Sequence, residues 1–161
     1  MAQGVEFPQL VERTMNAFAD ALGADGAALM LVDDHDRLRA VAGSDDDGRR
    51  LEPVREQTGS GPAVESLARG VDVTVDDLRA ARPLGFPAPA GRVSGIRAVL
   101  TVPLRADDRL IGTLDFHDRD SREWPPAKVR AGERLGELMV MVLRTLAIRH
   151  PFLGSRGEQV K

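Results

Sequence analysis

The chain has 161 residues, of which 42% are hydrophobic and 29% are charged, and its formal net charge is −3. This size and composition are typical of one soluble globular domain, and the mild acidity argues against a nucleic acid or an anionic membrane as the main partner. The sequence contains no cysteine, which excludes disulfides, thiolate metal sites and thiol catalysis.

The N-terminus lacks the basic flank and the apolar core of a signal peptide. The longest unbroken apolar run, residues 138–143, is far too short to span a bilayer. We therefore expect a cytoplasmic protein.

The first elements predicted are a helix and a β-hairpin. Residues 8–22 carry apolar side chains at helical spacing, with Pro8 suited to the first helical position and Gly23 to the end. The short apolar run 27–32 predicts a buried strand, and the alternation over 38–42 predicts its hairpin partner.

The middle of the chain predicts a short helix, a short strand and a long loop. The helix covers residues 62–69, with Pro62 early and Gly70 just past the end. Alternating valines predict a strand over 71–75. Residues 82–95 contain three prolines and three glycines, so neither helix nor strand fits them, and such loops often act as lids or binding loops.

The sequence pattern typical of β-strands is strongest over residues 97–104 and 109–117, and it predicts a hairpin. Asp107 and Asp108 in its turn hydrogen-bond their own backbone readily and tolerate unusual dihedral angles. We expect this hairpin at the centre of an antiparallel sheet.

A second long helix is predicted from Pro125 to about residue 149. Its block 138–143 is apolar on all sides. A helix on the surface of a monomer, in contrast, needs one polar face that is exposed to solvent. We therefore expect a homodimer through the first and last helices. The residues expected at this interface are apolar side chains of those two helices: Val11, Met15, Phe18, Leu138, Met141 and Leu143.

The order of elements predicts an α+β fold. Its central antiparallel sheet has five or six strands, with the N- and C-terminal helices on one face and the middle helix and the loop over the other. Residues 1–150 are expected to form a single domain, followed by a flexible tail over 151–161.

Signature residues lie in five stretches: 26–32, 59–63 (Gly-Ser-Gly-Pro-Ala), 70–78, 95–104 and 110–114. Together with the order of elements, these stretches resemble a GAF domain, which implies a GAF/PAS-like architecture. Within the family, the sequence most resembles the GAF domains of actinobacterial regulators, and we expect it to be a stand-alone domain. The resemblance implies a sensing or signalling role, in which the domain responds to a small molecule or a signalling protein.

Some activities of the family do not fit this sequence. Its free methionine sulfoxide reductases and its bilin-carrying domains need cysteine, and its cyclic-nucleotide-binding domains carry an Asn-Lys pair that is absent here. No nucleophile and base share a motif, and no metal-ligand spacing is present, so we expect neither an enzyme nor a metal site.

The resemblance places a ligand pocket beneath the middle helix and the loop, against one face of the main hairpin. Alternation puts polar side chains of the two strands on one face each, and the preceding loop adds two more. The pocket residues expected are Arg97, Thr101, Thr113, Asp115, His117, Arg92 and Ser94.

Three alternatives to this pocket remain open. Arg97 and Asp115 could form a cross-strand ion pair that closes the pocket, which leaves a ligand-free dimerisation module. His117 could bind haem, since some family sensors do, and otherwise no cofactor is implied. A shift of one residue in register would invert the face that lines the pocket.

Overall fold

A computed structural model describes residues 7–44, 61–80 and 95–149 of the protein. The predicted tail 151–161 and most of the predicted loop 82–95 lie outside the described residues. The elements follow one another as α1 (Phe7–Leu22), β1 (Gly26–Val32), β2 (Leu38–Gly43), α2 (Pro62–Arg69), β3 (Val73–Val75), a 3₁₀ turn (Leu78–Ala80), β4 (Ala98–Ala106), β5 (Arg109–Asp118) and α3 (Pro126–Arg149).

The five strands form one antiparallel sheet in the order β2-β1-β5-β4-β3. The α+β prediction is confirmed, and the β4–β5 hairpin lies at the centre of the sheet as expected. Asp107 and Asp108 in its turn have positive φ angles of 52° and 68°, which aspartate tolerates better than most residues do. The predicted start of β3 is wrong by two residues, since Val71 precedes the strand and is exposed.

The first face of the sheet is covered by the two terminal helices, as predicted. Met15 and Leu22 of α1 are fully buried against Leu100 of β4 and Phe116 of β5. Side chains of this size contribute about 1.5–3 kcal/mol each when they leave water. Strand β1 reads as a continuous apolar run because it is buried on both faces.

Helix α3 lies unusually close to β4 because two glycines face the strand. A β-carbon at Gly132 would stand 2.9 Å from Leu100 Cδ2, and one at Gly136 would stand 3.2 Å from Leu104 Cδ2. At these two glycines the helix therefore packs directly against the sheet.

The second face of the sheet carries α2 and a smaller apolar cluster. Met30 of β1, Leu38 of β2 and Ala63 of α2 form the buried part of this cluster, and Val64 and Leu67 pack against it. Because α2 is only one short helix, the apolar contact here is much smaller than on the first face. No helix among the described residues is both long enough and apolar enough to cross a bilayer.

Candidate functional site

Four polar side chains lie on the second face of the β4–β5 hairpin. The strand register pairs Thr101 with Asp115, and it sets His117 opposite Val99. Thr113 continues the row on β5, and all four polar residues are 0% exposed. The alternation predicted from the sequence therefore places Thr101, Thr113, Asp115 and His117 on one face, the one opposite the terminal helices.

Helix α2 lies across β4 and β5 on this same face. Its buried Ser66 donates a hydrogen bond of 2.7 Å from Oγ to the carbonyl of Val71, so its own polar group is satisfied. Ala63 is fully buried and contributes an apolar wall. The arrangement combines apolar walls with a few polar groups, which is the usual form of a small-molecule site.

The two threonines of this face are not satisfied. Within residues 7–44, 61–80 and 95–149, no hydrogen-bond partner is found for the Oγ1 atoms of Thr101 and Thr113. Asp115 and His117, in contrast, do have interaction partners. A buried hydroxyl without a partner costs about 1–3 kcal/mol, so two such groups side by side require an explanation.

Arg97, predicted for this pocket, lies elsewhere. Its guanidinium binds Asp77 at two points, with Nη2–Oδ2 at 2.6 Å and Nε–Oδ1 at 3.2 Å. This bonding holds the pKa of the Asp77 carboxyl below its usual range. The backbone N–H of Arg97 donates to the carbonyl of Asp118, just before β4 begins, so the residue stands at the end of the sheet. The structure therefore brings Arg97 to Asp77 and not to Asp115.

The remaining predicted pocket residues, Arg92 and Ser94, lie outside the described residues. Among the described ones, no three His, Asp or Glu side chains converge as a set that could hold a metal ion.

The residues predicted for a dimer interface divide into two groups. Val11 and Met15 are 0% exposed and belong to the core of the chain itself, while Phe18 and Leu143 are partly buried against that core. Exposed apolar surface comes from Leu138 and Met141 of α3, which are 46% and 61% exposed, respectively.

The expectation that the whole block 138–143 needs an outer cover is corrected by the structure. Met139 and Val140 are both buried within the chain. Val140 lies on the side of α3 toward the β4 edge, where the turn after α2 also lines the space beside it. The apolar surface that remains is therefore narrower than the sequence pattern indicates.

A pair of carboxyl groups was missed by the sequence analysis. Asp72, in the turn between α2 and β3, and Glu133 of α3 both line a cavity of about 450 Å³. Burial, and after it the neighbouring Glu133 carboxyl, raise the pKa of Asp72 to about 7. No sequence signal could identify the pair, since its two members belong to different elements with no shared motif.

Solved structures with this fold include sensor domains and an enzyme. A domain of a two-component sensor histidine kinase protein from Sinorhizobium meliloti 1021 has a TM-score of 0.67 at 18% identity, covering 92% of this chain and 98% of that one. The blue-light absorbing form of the PixJ GAF domain from Thermosynechococcus elongatus has a TM-score of 0.63 at 22% identity, with coverages of 94% and 96%. The free methionine-R-sulfoxide reductase of Neisseria meningitidis, solved with its substrate, has a TM-score of 0.61 at 21% identity, with coverages of 84% and 77%.

The reductases correct one expectation. The sequence analysis excluded enzyme activity, but free methionine-R-sulfoxide reductases recur among the structures that share this fold. At 13–21% identity this likeness shows the fold alone, and that fold accommodates catalysis. The expectation that enzyme activity can be excluded for this chain is therefore wrong. Among proteins with curated functions, none matches the chain.

The family itself is established by the sequence. The sequence model of the GAF domain matches residues 5–144, which is most of the chain. The match includes both strands of the central hairpin, α1, α2 and α3 up to residue 144, and it confirms the resemblance found in the sequence. GAF domains are sensory and regulatory modules. The chain belongs to the GAF domain family.

Proposed function

We propose that this chain is a regulatory module that binds a small molecule between the β4–β5 hairpin and α2. The observation that carries the proposal is the pair of buried hydroxyls of Thr101 and Thr113, for which the described residues supply no hydrogen-bond partner. A ligand with polar atoms would satisfy both groups and remove the cost of leaving them unbonded.

The surroundings of the two threonines support a small and partly apolar ligand. Met30 and Val99 lie on the same face, and Ala63 of α2 stands opposite the sheet. Hydroxyl groups both donate and accept hydrogen bonds, so they can orient a ligand that carries either donor or acceptor atoms. The apolar neighbours would provide most of the binding free energy through burial.

The central hairpin offers a physical route from the ligand to the terminal helices. Side chains alternate along each strand, so Leu100 and Phe116 face α1 and α3 while Thr101 and Asp115 face α2. A ligand that draws β4 and β5 toward α2 would also shift the surface on which the terminal helices lie. It can do so only if it binds one arrangement more tightly than the other.

The proposal is tested on the protein as purified, by native mass spectrometry and an absorbance spectrum. We expect a retained small molecule in the wild type, its loss in the double variant T101V/T113V, and its retention in Thr74→Val, where an exposed threonine is changed instead. A Soret band would identify the molecule as haem held through His117. A retained molecule that survives T101V/T113V unchanged contradicts the proposed site, and a polypeptide that carries no small molecule contradicts the proposed function.

A second candidate function is homodimerisation through the terminal helices. It rests on Leu138 and Met141, which are 46% and 61% exposed on neighbouring positions of α3. Phe18 of α1 packs on the same side of the sheet and is only partly buried. Association of two such surfaces would bury these side chains and contribute about 1.5–3 kcal/mol for each one fully covered, before the costs of binding.

Sedimentation at micromolar concentration tests this candidate. We expect a dimer in the wild type and a monomer in Met141→Asp, because a carboxylate at the centre of an apolar contact is strongly unfavourable. Val71→Asp is the matched control, since Val71 is also an exposed apolar residue (43%) but belongs to the turn after α2 and not to the terminal helices. A monomeric wild type, or equal effects of both variants, contradicts the dimer.

A further inference from the structure

A groove lies between the end of α1 and the first half of α3. Its volume is about 300 Å³, and it is lined by small or aliphatic residues and by two arginines: Ala21, Ala127, Ala131, Leu135, Arg130 and Arg134. Ala21, Ala127 and both arginines are exposed, so this α1–α3 groove opens to solvent. It is distinct from the polar second face of the sheet, which the terminal helices do not cover.

The walls of the α1–α3 groove are fixed by contacts beneath it. Lys128 of α3 donates from Nζ to the carbonyl of Leu22 at the end of α1, at 2.5 Å. Leu22 itself is buried in the core, and Gly132 and Gly136 bring α3 directly against β4. The two helices therefore hold the groove in shape before anything binds there, which reduces the cost of binding.

The charged residues in the first half of α3 are separated by sign. Arg130 and Arg134 line the groove, whereas Glu133 and Glu137 line the cavity of about 450 Å³ beside β4. Each arginine has a glutamate three residues farther along, a spacing at which ion pairs form on a helix. Within residues 7–44, 61–80 and 95–149, however, neither arginine has an ion pair or a hydrogen bond, with these glutamates or with Asp20 of α1. The groove thus carries two positive charges that the described residues do not neutralise.

We propose that the α1–α3 groove docks an acidic amphipathic helix of a partner protein. Aliphatic side chains of that helix enter the groove, and its carboxylates bind Arg130 and Arg134. A groove between two helices is suited to a third helix that lies along it. The two arginines are one helical turn apart, about 6 Å along the axis, so carboxylates three or four residues apart on the partner reach both. Arginine can bind each carboxylate at two points.

A second copy of this chain is a poorer occupant of the groove. In a twofold interface the same patch of each copy contacts the other, so the arginine pairs of the two copies would face each other and repel. The dimer considered above rests on Leu138 and Met141, which do not line the groove. A volume of about 300 Å³ is also at the lower limit for a small-molecule pocket. The proposal is therefore independent of both candidate functions above.

The test uses the whole chain and a synthetic peptide as the probe. The peptide has about 18 residues, enough to form a helix, with leucines along one face and glutamates four residues apart beside them. Fluorescence anisotropy measures its affinity, and NMR of the backbone amides locates it. We expect amide shifts at Ala21 and over residues 127–135, and an affinity that falls as salt is added, because the charged groups are exposed.

Charge reversal is the decisive variant. We expect R130E/R134E to weaken binding of the glutamate peptide at least tenfold, and the same peptide with lysine in place of glutamate to recover it. This recovery separates docking from a loss of fold, which fluorescence of the single tryptophan, Trp124, checks directly. The matched control is R37E/R109E, which changes the net charge equally at two exposed arginines outside the terminal helices and should leave binding unchanged.

Four results would overturn the proposal. The first is the absence of amide shifts over residues 127–135 up to millimolar peptide. The second is equal binding of peptides in which glutamine replaces glutamate or serine replaces leucine, since the charges or the apolar floor would then not be used. The third is a set of shifts at the groove that depends only on protein concentration, which identifies a second copy. The fourth is binding to phosphatidylglycerol vesicles, but not to the peptide, that R130E/R134E abolishes.

Discussion

Arg97 and Asp77 form a two-point ion pair at the end of the sheet, with the Nη2–Oδ2 and Nε–Oδ1 distances at 2.6 Å and 3.2 Å. The 3₁₀ turn that follows Asp77 is tied to the same place, since the N–H of Leu78 donates to the carbonyl of Arg97 at 2.5 Å. The pair therefore anchors the start of β4 to the chain after β3.

We predict that Arg97→Gln destabilises the protein at neutral pH and much less in acid. The ion pair lowers the pKa of Asp77, so its contribution is present above the ordinary aspartate pKa and is lost as the pH falls and Asp77 becomes protonated. The measurement is the urea midpoint of wild type and variant at pH 7 and at low pH. Arg13→Gln, which changes an exposed arginine of α1 away from Asp77, is the control. A loss of stability that is equal at both pH values would show that the ion pair is not its cause.

The sequence predicted those features of the fold that depend on the spacing of apolar and polar residues within one strand or one helix. Period-two alternation placed Thr101, Thr113, Asp115 and His117 on one face of the hairpin, because side-chain direction in a strand follows from position alone. Helical spacing found the buried faces of α1 and α3 in the same way. These features could be predicted because neighbours in sequence determine them.

Contacts between distant elements could not be predicted in this way. The partner of Arg97 depends on where the chain after β3 returns to the sheet, and nothing in the sequence near Arg97 indicates Asp77. The same holds for Val140, which belongs to the block 138–143 that was expected to need an outer cover. The structure buries it in the core of the chain itself, whose other members come from elements distant in sequence.

We predict that Gly112→Ala destabilises the protein by about 2–3 kcal/mol, in the range found for overpacked cores. A β-carbon at Gly112 would overlap the backbone carbonyl of Met30 on the neighbouring strand, and backbone atoms in a paired strand cannot move aside. Chemical denaturation measures the loss.

Gly136→Ala is the matched control for this prediction. Its β-carbon would stand 3.2 Å from methyl groups of Val102 and Leu104, which can shift slightly. Alanine also favours the helix by about 1 kcal/mol over glycine, which offsets the contact. Equal losses for the two variants would contradict the distinction between backbone and side-chain neighbours.

We predict that Thr101→Val raises the free energy of unfolding of the ligand-free protein by about 1 kcal/mol. Valine has nearly the shape of threonine, and it removes a buried hydroxyl for which the described residues offer no partner. Urea denaturation after removal of any bound molecule measures the change, and Thr74→Val on the exposed side of β3 is the control. A loss of stability in Thr101→Val would mean that the hydroxyl is already bonded within the protein.

We predict that the free energy of unfolding falls as the pH rises from about 4 to about 7 on account of Asp72. Its pKa is 3.8 without the folded surroundings and about 7 in the folded protein, so the folded state holds a proton that the unfolded state has lost over this range. The stabilising contribution is complete below the unfolded pKa and disappears as the pH passes the folded one. Because Asp72 is only partly buried, solvent screening limits the effect to about 1 kcal/mol or less.

The variant Asp72→Asn isolates this contribution from the rest of the protein. Its neutral amide cannot ionise, so the variant should gain stability relative to the wild type as the pH rises through 7, by the amount that the wild type loses. Urea midpoints of both proteins at several pH values give the difference directly, and Asp76→Asn controls for the removal of an exposed charge. A difference between wild type and Asp72→Asn that stays constant across this range would mean that Asp72 titrates as an ordinary surface aspartate.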